Sequence, residues 1–279
     1  MAAFINENYI SIKVNGQKGI GAEYKQKFNV VGYPTVLLLN TGGEEIERLF
    51  GWSNEPEIYF QTLVDYTNGV NTIEELLTRY KTQPDNIEHT YRVARRRLDR
   101  GERGLTRPYY EKILALDPDD TYGYRAESVG VLAILDLYEH GDEQPLINLL
   151  RGNQDAEQLR KGYDTLIRFY KNKAFKEKVL AAYDSVIAKL PEDTGFLNGY
   201  AWYVYEQKIA GRYEHAIACA EHALTIEPDK AYIWDTLAWL EYETGQTEKA
   251  IAHMEKARTL DPDRQYYSDN LEKMQKKTE

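Results

Sequence analysis

Two consecutive segments near the C-terminus of this 279-residue chain repeat one pattern of small residues and proline. Pro228 and Pro262 end the two segments and stand 34 residues apart. The matching pairs are Ala216 with Ala250, Ala220 with Met254, and Ala223 with Ala257. Small residues at helical spacing let two antiparallel helices approach closely, while larger residues of the next segment fill the remaining space. A period of this length therefore predicts a stacked array of helix pairs, because one unit cannot bury its apolar face alone.

The second of these segments also carries Trp234, Leu237 and Ala238 ahead of its small residues. This order matches W-x₂-L-G…A-x₃-F-x₂-A…P, with alanine for glycine and methionine for phenylalanine, so the segment resembles the tetratricopeptide repeat family. The resemblance is clearest in three units, about residues 160–193, 194–230 and 231–264. A weaker unit surrounds Ala94, Tyr110 and Pro118, a degenerate helix pair is expected over 121–155, and a polar capping helix is expected after residue 264.

Two details of the repeats are predicted from their spacing. Ala201 and Ala238 are 37 residues apart, so three extra residues are expected in the turn near 208–211. The short runs "DPDD", "EPDK" and "DPDR" are interpreted as punctuation between units, in which proline ends one helix and aspartate caps the next. Because the repeat accounts for all three runs, they are not interpreted as paired catalytic carboxylates.

The resemblance to tetratricopeptide repeats also implies a binding surface, because the first helix of each pair lines the groove of such arrays. Carried over by position, the groove residues are Asn198, Trp202, Tyr205, Tyr232, Asp235, Trp239 and Tyr242. Aromatic anchors among a few polar groups are typical of a peptide-binding interface, and the 23 tyrosines of the chain favour binding as well. The sequence leaves open whether the two tryptophans line the groove or pack in the core.

The N-terminal region has a different pattern. Residues 9–14 alternate and predict a strand, 21–28 predict a short helix, and 35–39 predict a strand buried on both faces. A hairpin partner is expected over 44–50, and a further helix is expected to be capped by Asn54 and to end near Gly69.

This order, with Tyr33, Pro34 and Thr35 ahead of the apolar strand, resembles the second half of the thioredoxin-like fold of bacterial thiol:disulfide interchange proteins. The resemblance covers about residues 2–68. It implies a cis peptide bond before Pro34, an extended-peptide docking edge at residues 33–35, and a bacterial periplasmic location. It also implies that the Cys-x-x-Cys half of the fold precedes Met1, so the chain is expected to begin within the domain.

The cysteine content decides what this region can do in the chain as given. Cys219 is the one cysteine, so dithiol exchange has no reacting pair and no catalytic residues are predicted. The alternative is a thiol:disulfide oxidoreductase or redox chaperone whose Cys-x-x-Cys lies in an upstream segment.

Composition excludes some classes of function. The chain carries 35 Lys and Arg against 45 Asp and Glu, a net charge of −10, which argues against nucleic-acid binding. No apolar run reaches the length of a membrane helix, and the first ten residues do not form a secretory signal. Oligomeric state is not indicated by the sequence.

Three local patterns remain. Gly19-x-Gly21 lacks the further small residue of a dinucleotide fingerprint, since Tyr24 stands there, and no cofactor is predicted. His215, Cys219 and His222 share one helical face, and His253 stands at the repeat position of Cys219. They are weighed as zinc ligands, but a helix face without metal is favoured, so no metal site is predicted. Residues 92–107 hold seven arginines, of which Arg92, Arg96 and Arg100 form a stripe along one helix face. This stripe could contact an acidic partner or an acidic face of the same chain, but a helix face exposed to solvent is the favoured interpretation.

The sequence thus predicts an α+β region followed by an all-α region. Residues 1–69 are expected to form a partial thioredoxin-like module without its Cys-x-x-Cys half, and residues 70–279 a tetratricopeptide-type helical solenoid. The predicted function is a non-enzymatic scaffold that binds a protein or peptide partner.

Overall fold

The computed structural model of the chain describes residues 1–51 and 55–276. Its internal contacts divide it into two compact units, Met1–Leu146 and Ile147–Glu279. The first unit holds the N-terminal strands together with helices that the sequence assigns to the repeat region. A division of the sequence at residue 69 therefore stays a prediction. The expected helix cap at Asn54 lies outside the described residues.

The first unit is mostly helical, with one small sheet. Its elements are α1 (Ala2–Asn8), α2 (Ile20–Lys27), β1 (Thr35–Leu39), β2 (Glu45–Phe50), α3 (Pro56–Thr67), α4 (Ile73–Thr82), α5 (Ile87–Asp99), α6 (Arg103–Leu116) and α7 (Arg125–His140). Helix α8 (Gln144–Gly152) spans the end of the first unit and the start of the second. The predicted helix at 21–28 is confirmed, and Gly69, with a φ of 72°, follows the end of α3 as expected.

The sheet contains two antiparallel strands, β1 and β2, with Leu37 opposite Arg48. The predicted hairpin is confirmed, and its turn is closed by the Asn40 side chain, whose Oδ1 accepts from the amides of Gly42 and Glu44 at 2.9 and 3.0 Å. The prediction that β1 is buried on both faces is wrong. Leu38 is the one buried residue of β1, and Val36 is 41% exposed.

The predicted strand at residues 9–14 is also wrong, because this segment pairs with neither strand and forms no regular element. Ile10 and Ile12 are 92% and 77% exposed, so the alternating pattern has no neighbouring strand to satisfy it. Within the described residues, the two-stranded sheet with its helices does not form a thioredoxin fold, and nothing supports a thioredoxin-like module.

The loop before β1 is held by hydrogen bonds of its own. The peptide bond between Tyr33 and Pro34 is cis. The Tyr33 hydroxyl donates to the carbonyl of Gly16 at 2.9 Å, and the Thr35 hydroxyl donates to the carbonyl of Gly32 at 2.7 Å. Tyr33 is nevertheless 54% exposed.

The fully buried carboxylate of Glu47 joins the sheet to the helices that follow it. Its Oε2 accepts from the backbone amide of Ile73 at 2.7 Å, at the start of α4, and lies 2.6 Å from Arg96 Nη1 of α5. Arg100 Nη1 lies 3.4 Å from the other oxygen and 2.8 Å from Glu45 Oε1. A buried carboxylate requires such compensation, because ions lose most of their hydration inside a protein.

This network answers the question raised by the arginine stripe. Arg96 and Arg100 face an acidic surface of the same chain, and their side chains are 17% and 11% exposed. Arg92 stays more exposed, at 44%, and lies 3.6 Å from Glu88 on the same helix. The favoured interpretation of a solvated stripe is therefore wrong for Arg96 and Arg100.

The second unit is a succession of antiparallel helix pairs. Its elements are α9 (Ala156–Asn172), α10 (Lys176–Lys189), α11 (Thr194–Glu206), α12 (Tyr213–Ile226), α13 (Ala231–Glu243), α14 (Thr247–Leu260) and α15 (Gln265–Lys276). The pairs follow the three predicted units, and a 3₁₀ turn at Ala210–Arg212 lies where the extra residues were expected. None of the described helices is both long and apolar enough to cross a lipid bilayer.

The repeated small residues form the contact between paired helices. Those with no exposed surface are Ala201, Ala216, Ala220, Ala223, Ala238, Ala250, Met254 and Ala257. The expected capping helix is α15, whose Tyr267, Leu271 and Met274 cover the end of this core.

The turn between the last two pairs is fixed by Trp234, whose indole N–H donates to the Pro228 carbonyl at 2.8 Å. The prediction that an aspartate after the proline caps the next helix is wrong for α13. Its N-cap is Lys230, which makes no capping bond through its side chain, because Asp229 comes one residue too early.

We expect Glu47→Gln to destabilise the first unit by about 3 kcal/mol, because the change leaves Arg96 and Arg100 buried without a full counter-charge. Urea unfolding followed by circular dichroism measures this loss. Glu88→Gln is the matched control: it removes an exposed pair on α5 and should change stability by less than about 0.5 kcal/mol. Equal stability of the two variants would contradict the role assigned to Glu47.

Candidate functional site

Four aromatic side chains on α11 and α13 form one continuous row, here called the aromatic ladder: Trp202, Tyr205, Trp239 and Tyr242. The ring centroids of Trp202 and Tyr205 are 5.2 Å apart. Tyr205 stacks on Trp239 at 5.4 Å, with an interplanar angle of 24°, and so joins the two helices. Trp239 and Tyr242 meet edge to face at 5.9 Å. All four side chains are half-buried, so the ladder presents aromatic surface to solvent.

The ladder follows from the repeat. Trp202 and Trp239 occupy the same position 37 residues apart, as do Tyr205 and Tyr242, and each pair on one helix is spaced by three residues. Residues three apart on a helix share a face, so each helix presents its two rings together. The sequence left open whether the tryptophans line the groove or pack in the core. Trp239 does both, because it belongs to the ladder and, like Tyr242, also packs on the core beneath α13.

Asp235 lies beside the ladder and is 6% exposed. The Tyr266 hydroxyl of α15 donates to its Oδ2 over a long distance, 3.4 Å. Burial raises the pKa of Asp235 to about 7, although Tyr266, Arg264 and the Trp239 indole each favour the anion and oppose the rise. Asp235 is thus a buried carboxyl group that changes charge near neutral pH.

Several buried polar atoms near the ladder make no hydrogen bond of normal geometry. Those in the second unit are Asn198 Oδ1, Asp235 Oδ1, Trp239 Nε1 and Asn270 Nδ2, two acceptors and two donors. They lie on α11, α13 and α15, the helices that carry the ladder or flank it. Buried polar groups are nearly always paired in native proteins, so such a group points to a missing partner.

The structure brings most of the predicted groove residues together. The ladder and Asp235 form one site, and Asn198 occupies on α11 the repeat position that Asp235 occupies on α13. Tyr232 is 42% exposed at the start of α13 and is not part of the ladder. Tyr33, Pro34 and Thr35 belong to the first unit and form a separate candidate.

Two residues of this site, Tyr266 and Asn270, were missed because α15 was predicted as a polar cap alone. A signal for Tyr266 was present, since it follows Tyr232 by the 34-residue period. Asn270 is 3% exposed, which no local pattern indicates.

The residues weighed as zinc ligands take up separate contacts. His215 Nδ1 lies 3.1 Å from the Tyr200 hydroxyl, and His253 Nδ1 lies 2.7 Å from Glu241 Oε2. Cys219 is buried, and burial raises the pKa of its thiol to about 11. In the part of the chain that the structure describes, no three His, Cys, Asp or Glu residues are grouped to hold a metal ion.

Comparison with known families confirms two of the repeats. Models of the tetratricopeptide repeat match residues 198–230 and 231–264, the segments that cover most of α11 and all of α12 to α14. No curated protein matches the chain.

Solved structures of repeat proteins are similar at low identity. YrrB, described as a TPR protein with an unusual peptide-binding site, is 13% identical over 71% of this chain and 98% of its own, with a TM-score of 0.49. The MamA protein is 16% identical over 66% of this chain and 97% of its own, with a TM-score of 0.48. TTC0263, a thermophilic TPR protein of Thermus thermophilus, is 20% identical over 78% of this chain and 94% of its own, with a TM-score of 0.32.

We expect Cys219 to react slowly with a thiol reagent in the folded protein. Raising the thiol pKa from 9.0 to about 11 lowers the reactive thiolate roughly 100-fold near neutral pH, and burial limits access further. The measurement is the rate of reaction with 5,5′-dithiobis(2-nitrobenzoate) in native protein and in guanidinium chloride. Similar rates in both would show that Cys219 is accessible in the folded state.

Proposed function

We propose that the chain is a protein-interaction scaffold whose second unit binds a peptide or protein segment along the aromatic ladder. The observation that carries the proposal is the ladder itself, a continuous row of half-buried rings across two neighbouring repeats. Rigid aromatic side chains bury large areas at low cost in conformational entropy, and interface hot spots are enriched in tryptophan and tyrosine.

The polar atoms beside the ladder support the same proposal. A peptide carries N–H donors and C=O acceptors at regular intervals, and two acceptors of the site, on Asn198 and Asp235, and two donors, on Trp239 and Asn270, make no hydrogen bond of normal geometry within the protein. A bound segment that supplied these partners would remove a penalty of about 1–3 kcal/mol for each atom. Hydrogen bonds that form only in the complex stabilise the complex relative to the free protein.

The edge at Tyr33, Pro34 and Thr35 stays a second, separate proposal for docking an extended peptide. It is supported by the exposure of Tyr33 and Val36, and by strand β1, which pairs on one side with β2. The oxidoreductase alternative, with its Cys-x-x-Cys in an upstream segment, gains no support, because the described residues of the first unit do not form a thioredoxin fold.

We expect Trp202→Ala to weaken peptide binding at least about tenfold, because loss of a central aromatic anchor commonly costs about 2 kcal/mol or more. The ligands are peptides selected on the purified protein from a phage-displayed random dodecapeptide library. Their affinities are measured by fluorescence anisotropy, and circular dichroism checks that the helices are retained.

The matched control for this variant is Ile226→Ala. Ile226 is a 36% exposed apolar residue at the end of α12, the second helix of the same repeat. Its removal should leave affinity unchanged. Selected peptides that bound Trp202→Ala as well as the unchanged protein would place the binding surface elsewhere.

A further inference from the structure

We propose that the aromatic ladder receives an arginine or lysine side chain of the partner, with the carboxylates of Asp235 and Glu243 as counter-charges. This proposal rests on the proposed function and names the chemistry of the ligand. A groove of this kind selects basic segments and rejects acidic ones.

The aromatic rings of the ladder are able to bind a cation. The faces of tryptophan and tyrosine attract cations, with tryptophan the strongest. In the described residues, lysine and arginine side chains lie over many rings, among them Arg264, whose guanidinium carbon is 5.5 Å from the centroid of Tyr266 beside the site. Across 1–51 and 55–276, none lies over Trp202, Tyr205 or Trp239. No lysine or arginine of the described residues therefore competes for these rings, and Tyr205 covers one face of Trp239.

The charged groups around Tyr205, the ring that joins α11 to α13, are acidic. Burial raises the pKa of this phenol to about 12, and the ionisable groups that raise it further are Glu243, Tyr266, Asp235 and Tyr213. Of these groups, Glu243 and the ionised form of Asp235 carry the negative charge near pH 8, since the two tyrosines are neutral there, so the middle of the ladder lies in the negative field of two carboxylates. Such a field attracts a cation and repels a carboxylate.

The buried carboxylate of Asp235 is compensated incompletely within the protein. Asp235 is 6% exposed, its Oδ1 makes no hydrogen bond of normal geometry, and its Oδ2 accepts one long hydrogen bond, while the Trp239 indole and Arg264 offset its burial only in part. The equivalent residue on α9, Asp164, is exposed and is paired with Arg168 on the same helix. Position 168 corresponds to Trp202 and Trp239, so the repeats that carry the ladder replace this internal cation with an aromatic ring. A cation from the partner restores the missing charge.

The test selects dodecapeptides from a random phage-displayed library at pH 8 and compares each with a synthetic version in which arginine is replaced by neutral citrulline. We expect arginine and lysine to be enriched, and citrulline to weaken binding about tenfold. Because this change is made in the peptide, it does not depend on how a protein variant folds.

The protein side is tested with Asp235→Asn, which keeps the shape of the side chain and removes its charge. It should weaken arginine peptides by a similar factor and leave citrulline peptides unchanged. Asp164→Asn is the matched control at the same repeat position and should change neither. The selected peptides could lack enriched arginine and lysine and still bind the Trp202→Ala variant more weakly than the unchanged protein. That result would overturn this proposal and leave the proposed function standing. Failure to select any peptide would overturn both.

The charge on Asp235 also makes a pH dependence that can be measured. The groups that face it are Tyr205 on α11, Trp239 on its own helix, and Arg264, Tyr266 and Tyr267 at the start of α15. With a pKa of about 7, Asp235 is mostly neutral at pH 6 and mostly anionic at pH 8. Affinity for an arginine peptide should therefore rise roughly five- to tenfold from pH 6 to pH 8. Asp235→Asn should abolish this change, and a flat profile for the unchanged protein would overturn the assignment.

Discussion

Side-chain volume at a few alanine positions governs how closely the paired helices of the second unit approach. Ala216, Ala223 and Ala250 are fully buried, and Trp234 anchors the turn between pairs by its bond to Pro228. Once the backbones are this close, large side chains on the first helix of a pair fit only where the neighbouring pair or solvent leaves space. The aromatic ladder is a consequence of this packing, since identical positions in successive repeats bring Tyr205 of α11 onto Trp239 of α13.

The same packing explains why the polar atoms beside the ladder are costly. Asp235 of α13 and Asn270 of α15 are 6% and 3% exposed, so little water reaches either side chain. Each unpaired buried group costs about 1–3 kcal/mol, against a total stability of about 5–15 kcal/mol for a typical domain. Apolar residues would fill these positions without that cost. The proposed binding of a partner would account for polar groups at these positions, which folding alone does not.

The repeats could be predicted from the sequence because their signal is local and recurs: alanine spacing, the proline period and the extra turn at 210–212 all reappear in the structure. The N-terminal region shows the opposite case. Residues 9–14 have the alternation of a strand, but a strand exists through its neighbour, and Ile12 remains 77% exposed. The site was predicted in part. Trp239 and Asp235 follow from the repeat position, whereas the burial of Asn270 depends on how α15 closes the array.

Two buried carboxylates show how structural and binding roles differ within one chain. Glu47 accepts from a backbone amide of α4 and faces two guanidinium groups, so its charge is compensated by the fold itself. Asp235 accepts one long hydrogen bond, and Arg264, whose charge favours the Asp235 anion, also lies over two tyrosine rings. Removing a partner of Glu47 disrupts the first unit, because no outside group can replace that partner. The incomplete charge compensation of Asp235 is different, because Asp235 lies beside the aromatic ladder. A cation of the proposed ligand that binds on the ladder can interact with this carboxylate. A buried charge marks a binding site where its compensation is incomplete and the missing part is accessible from solvent.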